Sequence, residues 1–175
     1  MTTSGTQTYT GAATLGADTT LTGAAITLGS TLKSDGTPRS LTLNDSGTTT
    51  LAGAVGGSGA ASTEGERLAS LITDTAGTTA INGGSVRTSG AQTYGDAVTL
   101  GADTTLSGAG ITVGATLKSD GTPRSLVVND SARTTVVGAL GGTAAGDKLA
   151  SLRTDGSTAI DGGSVRTVGA QTYGG

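Results

Sequence analysis

The sequence has no cysteine, no histidine, no phenylalanine and no tryptophan, and only two prolines and three tyrosines among its 175 residues. Without histidine and cysteine the commonest general base, the thiolate nucleophile and the soft metal ligands are missing. Catalysis would have to rest on carboxylates, Lys, Arg, Ser or Tyr. The shortage of aromatics argues against an ordinary sandwich or α/β core, in which such side chains each bury about 150–250 Å². Any core must be thin and built from Leu, Val, Ile, Ala and Thr. There is no basic run, and 10 Lys and Arg against 13 Asp and Glu give a net charge of −3, so nucleic acid is not an expected partner. No apolar stretch approaches the roughly 18 residues of a membrane span, and membrane insertion is not expected. Met1-Thr2-Thr3-Ser4-Gly5 reads as an initiator placed on an excised segment and not as a signal peptide.

What is abundant is glycine, with 32 residues, and threonine, about a fifth of the chain, and both are arranged in copies. Gly16-Ala17-Asp18-Thr19-Thr20-Leu21 returns as Gly101-Ala102-Asp103-Thr104-Thr105-Leu106, and Leu32 to Leu41 returns unchanged as Leu117 to Leu126, both at one offset. That offset sets a long repeat of about 85 residues. Gly83-Gly84-Ser85-Val86-Arg87-Thr88 returns from Gly162 to Thr167, at a slightly shorter offset. The shortening falls between Ser58–Arg67 and Thr143–Lys148, and between Asp74–Thr79 and Asp155–Thr158. These small, polar stretches read as loops, where length changes cost little. A first repeat of about 3–87, a second of about 88–166 and a partial third of about 167–175 form one rod, 1–175.

A shorter period lies inside the long one. Leu15, Leu43, Leu71, Leu100, Val128 and Leu152 follow one another at nearly even spacing, each ending a short alternating strand. A polar turn with Asp or Asn follows, then a second strand carrying Leu21, Leu51, Ile81, Leu106, Val136 or Ile160, then a glycine corner at Gly23, Gly53, Gly83, Gly108, Gly138 or Gly162. A third strand follows several of these corners. The pattern predicts an all-β, parallel β-helix (β-solenoid) of about six rungs of roughly 28 residues, three rungs per long repeat, with Leu stacked on Leu in ladders. Tandem sandwich modules would also show the long period, but not the threefold sub-period or the missing aromatic core.

The string Gly90-Ala91-Gln92-Thr93-Tyr94-Gly95-Asp96-Ala97-Val98-Thr99-Leu100-Gly101-Ala102-Asp103-Thr104-Thr105-Leu106, together with Gly83-Gly84-Ser85-Val86, resembles the repeats of giant bacterial exoproteins of the filamentous haemagglutinin type. The resemblance covers nearly the whole chain. It implies a right-handed helix, secretion by a two-partner or related route, an extracellular place on the bacterial cell surface, and a role in adhesion or biofilm. No catalytic residue is carried over with it.

Four sets of candidate residues remain. Lys33, Asp35 and Arg39, and their copies Lys118, Asp120 and Arg124, sit in Asp-Gly and Pro turns; two such loops are expected to project from one side of the rod and to contact acidic glycans or proteins. Tyr9, Tyr94 and Tyr173 each stand in Gln-Thr-Tyr, as sugar-stacking platforms or as packing along one edge. Asp18, Asp45, Asp74, Asp103, Asp130 and Asp155 are placed near one edge, where a carboxylate ladder could bind Ca²⁺ or do polysaccharide chemistry; turn preference explains each of them equally, and no cofactor is expected. An ice-binding face would need two outward Thr columns. Aligned on Leu21, Leu51 and Ile81, the outward pairs are Thr20/Thr22, Thr50/Ala52 and Ala80/Asn82, and such a face is not expected. The function that fits best is a structural stalk that displays loops, with a glycan- or protein-binding module as the alternative and an enzyme as the least favoured. Because the chain starts and stops inside repeats, end-to-end association with itself is expected.

Overall fold

The computed structural model describes residues 1–58 and 63–175, and shows a parallel β-solenoid of about seven turns. Eighteen strands follow in order: β1 (Thr6–Tyr9), β2 (Ala13–Leu15), β3 (Thr19–Gly23), β4 (Ala25–Leu28), β5 (Leu32–Ser34), β6 (Arg39–Asp45), β7 (Thr48–Leu51), β8 (Leu68–Thr73), β9 (Thr78–Ile81), β10 (Ser85–Arg87), β11 (Gln92–Tyr94), β12 (Ala97–Leu100), β13 (Thr104–Gly108), β14 (Ile111–Val113), β15 (Leu117–Ser119), β16 (Ser125–Val136), β17 (Ser151–Ile160) and β18 (Gln171–Tyr173). Two single 3-10 turns interrupt them, at Glu64–Glu66 and Ala145–Asp147.

All strand pairs are parallel, and they build three faces. The first is the six-stranded sheet β1-β4-β7-β9-β12-β15. The second runs through β2, β5, the bridging residue Val55, β10, β13 and the opening halves of β16 and β17 to β18. The third holds β3, β6, β8, β11, β14 and the closing halves of β16 and β17. β16 and β17 turn the corner between faces without a break, with a register shift between Asn129 and Arg133.

Alternation puts every second side chain inward. On the first face Leu28, Leu51, Ile81 and Leu100 stack in register; on the second Val86, Leu106 and Val128 do so; on the third Leu21 lies on Leu43 and Leu41 on Leu71. A single apolar cluster runs from Leu15 to Leu152. Each fully buried Leu or Ile contributes roughly 1.5–3 kcal/mol, and only the stacking of rungs gives these narrow strands a partner to bury against. Glycine marks the tightest approach: a Cβ on Gly83 would run into the backbone of Gly53 on the neighbouring rung.

The rung has no uniform length. Gln7 pairs with Ile26, whereas Thr48 pairs with Thr78, so the third turn is more than half as long again as the first. The expected single ladder of Leu15, Leu43, Leu71, Leu100, Val128 and Leu152 does not exist. Leu15, Val128 and Leu152 lie on the second face, Leu43 and Leu71 on the third, and Leu100 on the first.

The reason lies in the count of segments per repeat. From β1 to the equivalent β11 the chain lays down β2 to β11 and the segment at Val55, eleven in all. From β11 to β18 it lays down seven strands, two of which span two faces, plus the bridging residues Leu140 and Val165, again eleven. Eleven segments on three faces make three and two-thirds turns. Each copy is therefore rotated by about 120° on the last, and Gln-Thr-Tyr sits on the first face at β1, the third at β11 and the second at β18.

Candidate functional site

The rotation separates the residues that the sequence suggested would cluster. The Lys33–Arg39 loop joins β5 to β6, between the second and third faces, whereas Lys118–Arg124 joins β15 to β16, between the first and second. The two loops lie on different edges and do not project from one side. Likewise Asp18, Asp45, Asp74, Asp103, Asp130 and Asp155 do not form one edge. Asp45 and Asp74 share the corner after the third face, Asp103 follows the first, and Asp18, Asp130 and Asp155 follow the second. Among the described residues, no group of three or more acidic side chains is placed to hold a metal ion.

The basic loops are internally paired. Lys33 Nζ meets Glu66 Oε1 at 2.6 Å, and the Arg39 guanidinium donates to both oxygens of Asp35 at 3.2 Å. The Ser34 hydroxyl donates to the Arg67 carbonyl at 2.8 Å and accepts the Arg39 N–H at 2.9 Å. The second copy repeats the plan: Lys118 with Asp147 at 3.0 Å, Arg124 with Asp120 at 3.2 and 3.1 Å, and Ser119 with the Lys148 carbonyl at 2.9 Å. The hydrogen bond from Lys33 holds the Glu66 carboxyl below its ordinary range, and the bonds from Arg39 and Arg124 do the same to Asp35 and Asp120.

Of the stretches read as tolerant loops, Ser58–Arg67 and Thr143–Lys148 each hold a 3-10 turn that seats an acid on the Lys of an underlying strand, whereas Asp155–Thr158 is no loop but part of β17. Of Ser58–Arg67, residues 59–62 lie outside the described residues.

The tyrosines are also turned inward. The Tyr94 hydroxyl donates to Gln92 Oε1 at 2.9 Å, and Gln92 Nε2 donates to the Ser107 carbonyl at 2.8 Å; both residues are fully buried. Burial pushes the Tyr94 hydroxyl pKa well up. Tyr94 is therefore not a stacking platform. Tyr9 and Tyr173 make the same bond to Gln7 and Gln171 at 2.8 Å, Tyr9 half-buried and Tyr173 exposed. The three do not line one edge, because they stand on three faces.

Two features were not anticipated. The first is Asp96, 2% exposed, whose Oδ1 accepts from Thr73 at 2.7 Å and Oδ2 from Thr79 at 2.8 Å. Burial raises its pKa, and the two hydroxyl donors act against that. The signal available in the sequence was a break in the copying: Gly11 occupies the equivalent place in the first repeat.

The second is a threonine array. On the first face the outward residues Thr8, Thr27, Thr50, Ala80 and Thr99 lie in register. Beside them stand Thr48, Thr78 and Ala97, with the Thr48 and Thr78 hydroxyls 3.0 Å apart. The third face carries a second in-register column, Thr20, Thr42, Ile72, Thr93, Thr112 and Thr135. Alignment on Leu21, Leu51 and Ile81 hides this array, because Leu21 belongs to the third face and the other two to the first.

No family model matches the chain, and neither does any curated protein or solved structure.

Proposed function

We propose that the chain is a structural stalk segment of a secreted bacterial surface adhesin of the filamentous haemagglutinin type, placed outside the cell. The observation that carries this reading is the continuity of the rod. One apolar cluster and parallel strand ladders run without a break through both copies. The solenoid is right-handed in this reading, since parallel strand crossovers take that hand in about 98% of cases. The partners are the rod itself, end to end, and host or matrix glycans or proteins at its edges. Leu15, Leu21, Leu28 and Leu32 line an apolar recess that a rung of the same protein or of a second copy would cover.

The test is to lengthen the chain by whole long repeats. Each repeat should extend the particle by about 18 Å, three and two-thirds rungs at about 4.8 Å each, with an unchanged cross-section in solution scattering. A radius that grows in all directions would sink the rod.

The basic loops offer a glycan less than expected, because their cations already have carboxylate partners. The threonine array favours a second reading, an ordered-water or ice-binding face. Neighbouring hydroxyls stand about 4.8 Å apart between rungs and, in β1 and β7, which carry Thr at both outward positions, about 6.6 Å apart along the strand, near the oxygen repeats of ice. An ice recrystallisation assay with the protein and with Thr27→Lys and Thr50→Lys variants decides it; equal ice growth with and without the protein removes the reading.

A further inference from the structure

Asp45 and Asp130 stand at the same place in two copies, within Leu43-Asn44-Asp45-Ser46 and Val128-Asn129-Asp130-Ser131. Both are buried, at 3% and 4% exposure. Their surroundings differ. Asp130 Oδ1 accepts the backbone N–H of Gly110 at 2.7 Å and of Ala132 at 2.9 Å, and Oδ2 accepts the N–H of Ile111 at 2.8 Å and the Thr134 hydroxyl at 3.0 Å. Asp45 keeps the Thr49 hydroxyl, which donates to Oδ1 at 2.6 Å, and a weaker pull from the Gly47 backbone. Its Oδ2 is buried with no hydrogen-bond partner.

The difference traces to one residue on the rung below. Gly23 pairs with Asp45 as Gly108 pairs with Asp130. Two positions on stand Ala25 and Gly110. Gly110 has φ +93°, a conformation that side-chain-bearing residues rarely adopt, and its N–H turns to the carboxylate. Ala25 stays in β4, paired with Thr6, and its N–H does not reach Asp45.

On the rung above, the Asp74 N–H donates to the Leu43 carbonyl at 3.1 Å, and Asp74 Oδ1 is a second buried acceptor without a partner. Asp96 stands one rung further on the same edge. Among the described residues no cation acts on Asp45 or Asp96: the charges that act on them are Asp74 upon Asp45 and Asp45 upon Asp96, and the packed segments Gly23-Ala24-Ala25, β7 and β9 carry no charge. A proton on Asp45 Oδ2 would convert an unpaired acceptor into a donor.

We propose that Asp45 is a proton-binding site of the folded rod, and that residue 25 creates it by withholding the backbone donor that Gly110 supplies to Asp130. Burial, then the charge of Asp74, raise the Asp45 pKa against the Thr49 bond. A raised folded pKa gives stability that is full in acid, below the unfolded value, and is lost as pH rises through the folded value. Burial also acts to raise Asp130, but three backbone donors and Thr134 outweigh it and hold it below the ordinary range. Its contribution is present above the unfolded value and is lost as pH falls. The two copies therefore respond to pH with opposite sign.

Carboxyl ¹³C NMR titration of the whole chain tests this without any variant. Asp45 should titrate above the ordinary aspartate value and Asp130 below it. Ala25→Gly should draw the Asp45 midpoint down. Asp45→Asn, which supplies a fixed N–H donor without charge, should raise the melting temperature at neutral pH by about 2–4 °C. An Asp45 midpoint at or below the ordinary value overturns the proposal. An Ala25→Gly protein with an unmoved midpoint overturns the role of residue 25.

Discussion

Lys33 and Glu66, far apart along the chain, meet at 2.6 Å where the longest excursion returns to the rod. In the second copy the excursion is shorter and the acid is Asp147, yet the contact to Lys118 survives at 3.0 Å. Length and side chain have changed together to keep one ion pair.

The pair is partly exposed and so is screened by salt. Glu66→Gln is expected to speed trypsin cleavage at Lys33 and Arg67 while leaving the melting transition in place. Raising the ionic strength should have the same effect on the unmutated chain. Equal cleavage rates in all three conditions would show that the contact does not hold the loop.

Leu100 is fully buried in the first-face stack on top of Ile81. Leu100→Ala removes apolar contact that the narrow rung cannot refill, and should cost about 2–5 kcal/mol in urea denaturation. Thr27→Ala, on the outward side of that face, should fall within about 0.5 kcal/mol.

Gly83→Ala forces a Cβ into the Gly53 backbone and is expected to cost about 1–3 kcal/mol. Gly5 has nothing within 4 Å of such an atom, so Gly5→Ala should leave the denaturation midpoint where it is.

Tyr94→Phe leaves Gln92 Oε1 buried without its donor. The expected loss is about 1–3 kcal/mol. Tyr173→Phe, at 43% exposure, should lose far less, because water replaces the missing hydroxyl. Similar losses at the two sites would argue against a buried fastening role for the pair.

Much of the fold could be read from the sequence: alternating Leu and Val strands, glycine corners and near-copy repetition all point to stacked parallel rungs. What could not be read is which strands stack. Leu15, Leu43 and Leu71 are evenly spaced along the chain, but Leu15 is on the second face and the others on the third. The even spacing is a property of the repeat, and stacking depends on how many segments turn a corner. Val55 and Leu140 each occupy a face with a single bridging residue, too little to show alternation, so the eleventh segment of each repeat is invisible to pattern reading. The candidate loops and tyrosines were mislocated for the same cause. The buried role of Asp45 was hidden because its neighbour string is shared with Asp130, and the residue that separates them stands well upstream, at Ala25 and Gly110.

The rotation between copies has a mechanical consequence. The glycine-rich excursion leaves the edge between the second and third faces in the first copy, after Val55, and the edge between the first and second in the next, after Leu140. Any weakness it brings is turned by a third of a circle at each repeat and returns to the same edge only after eleven rungs, about 53 Å. A long array of this repeat has no soft side along which to fold, and would flex equally in every direction, as cross-laid plies do.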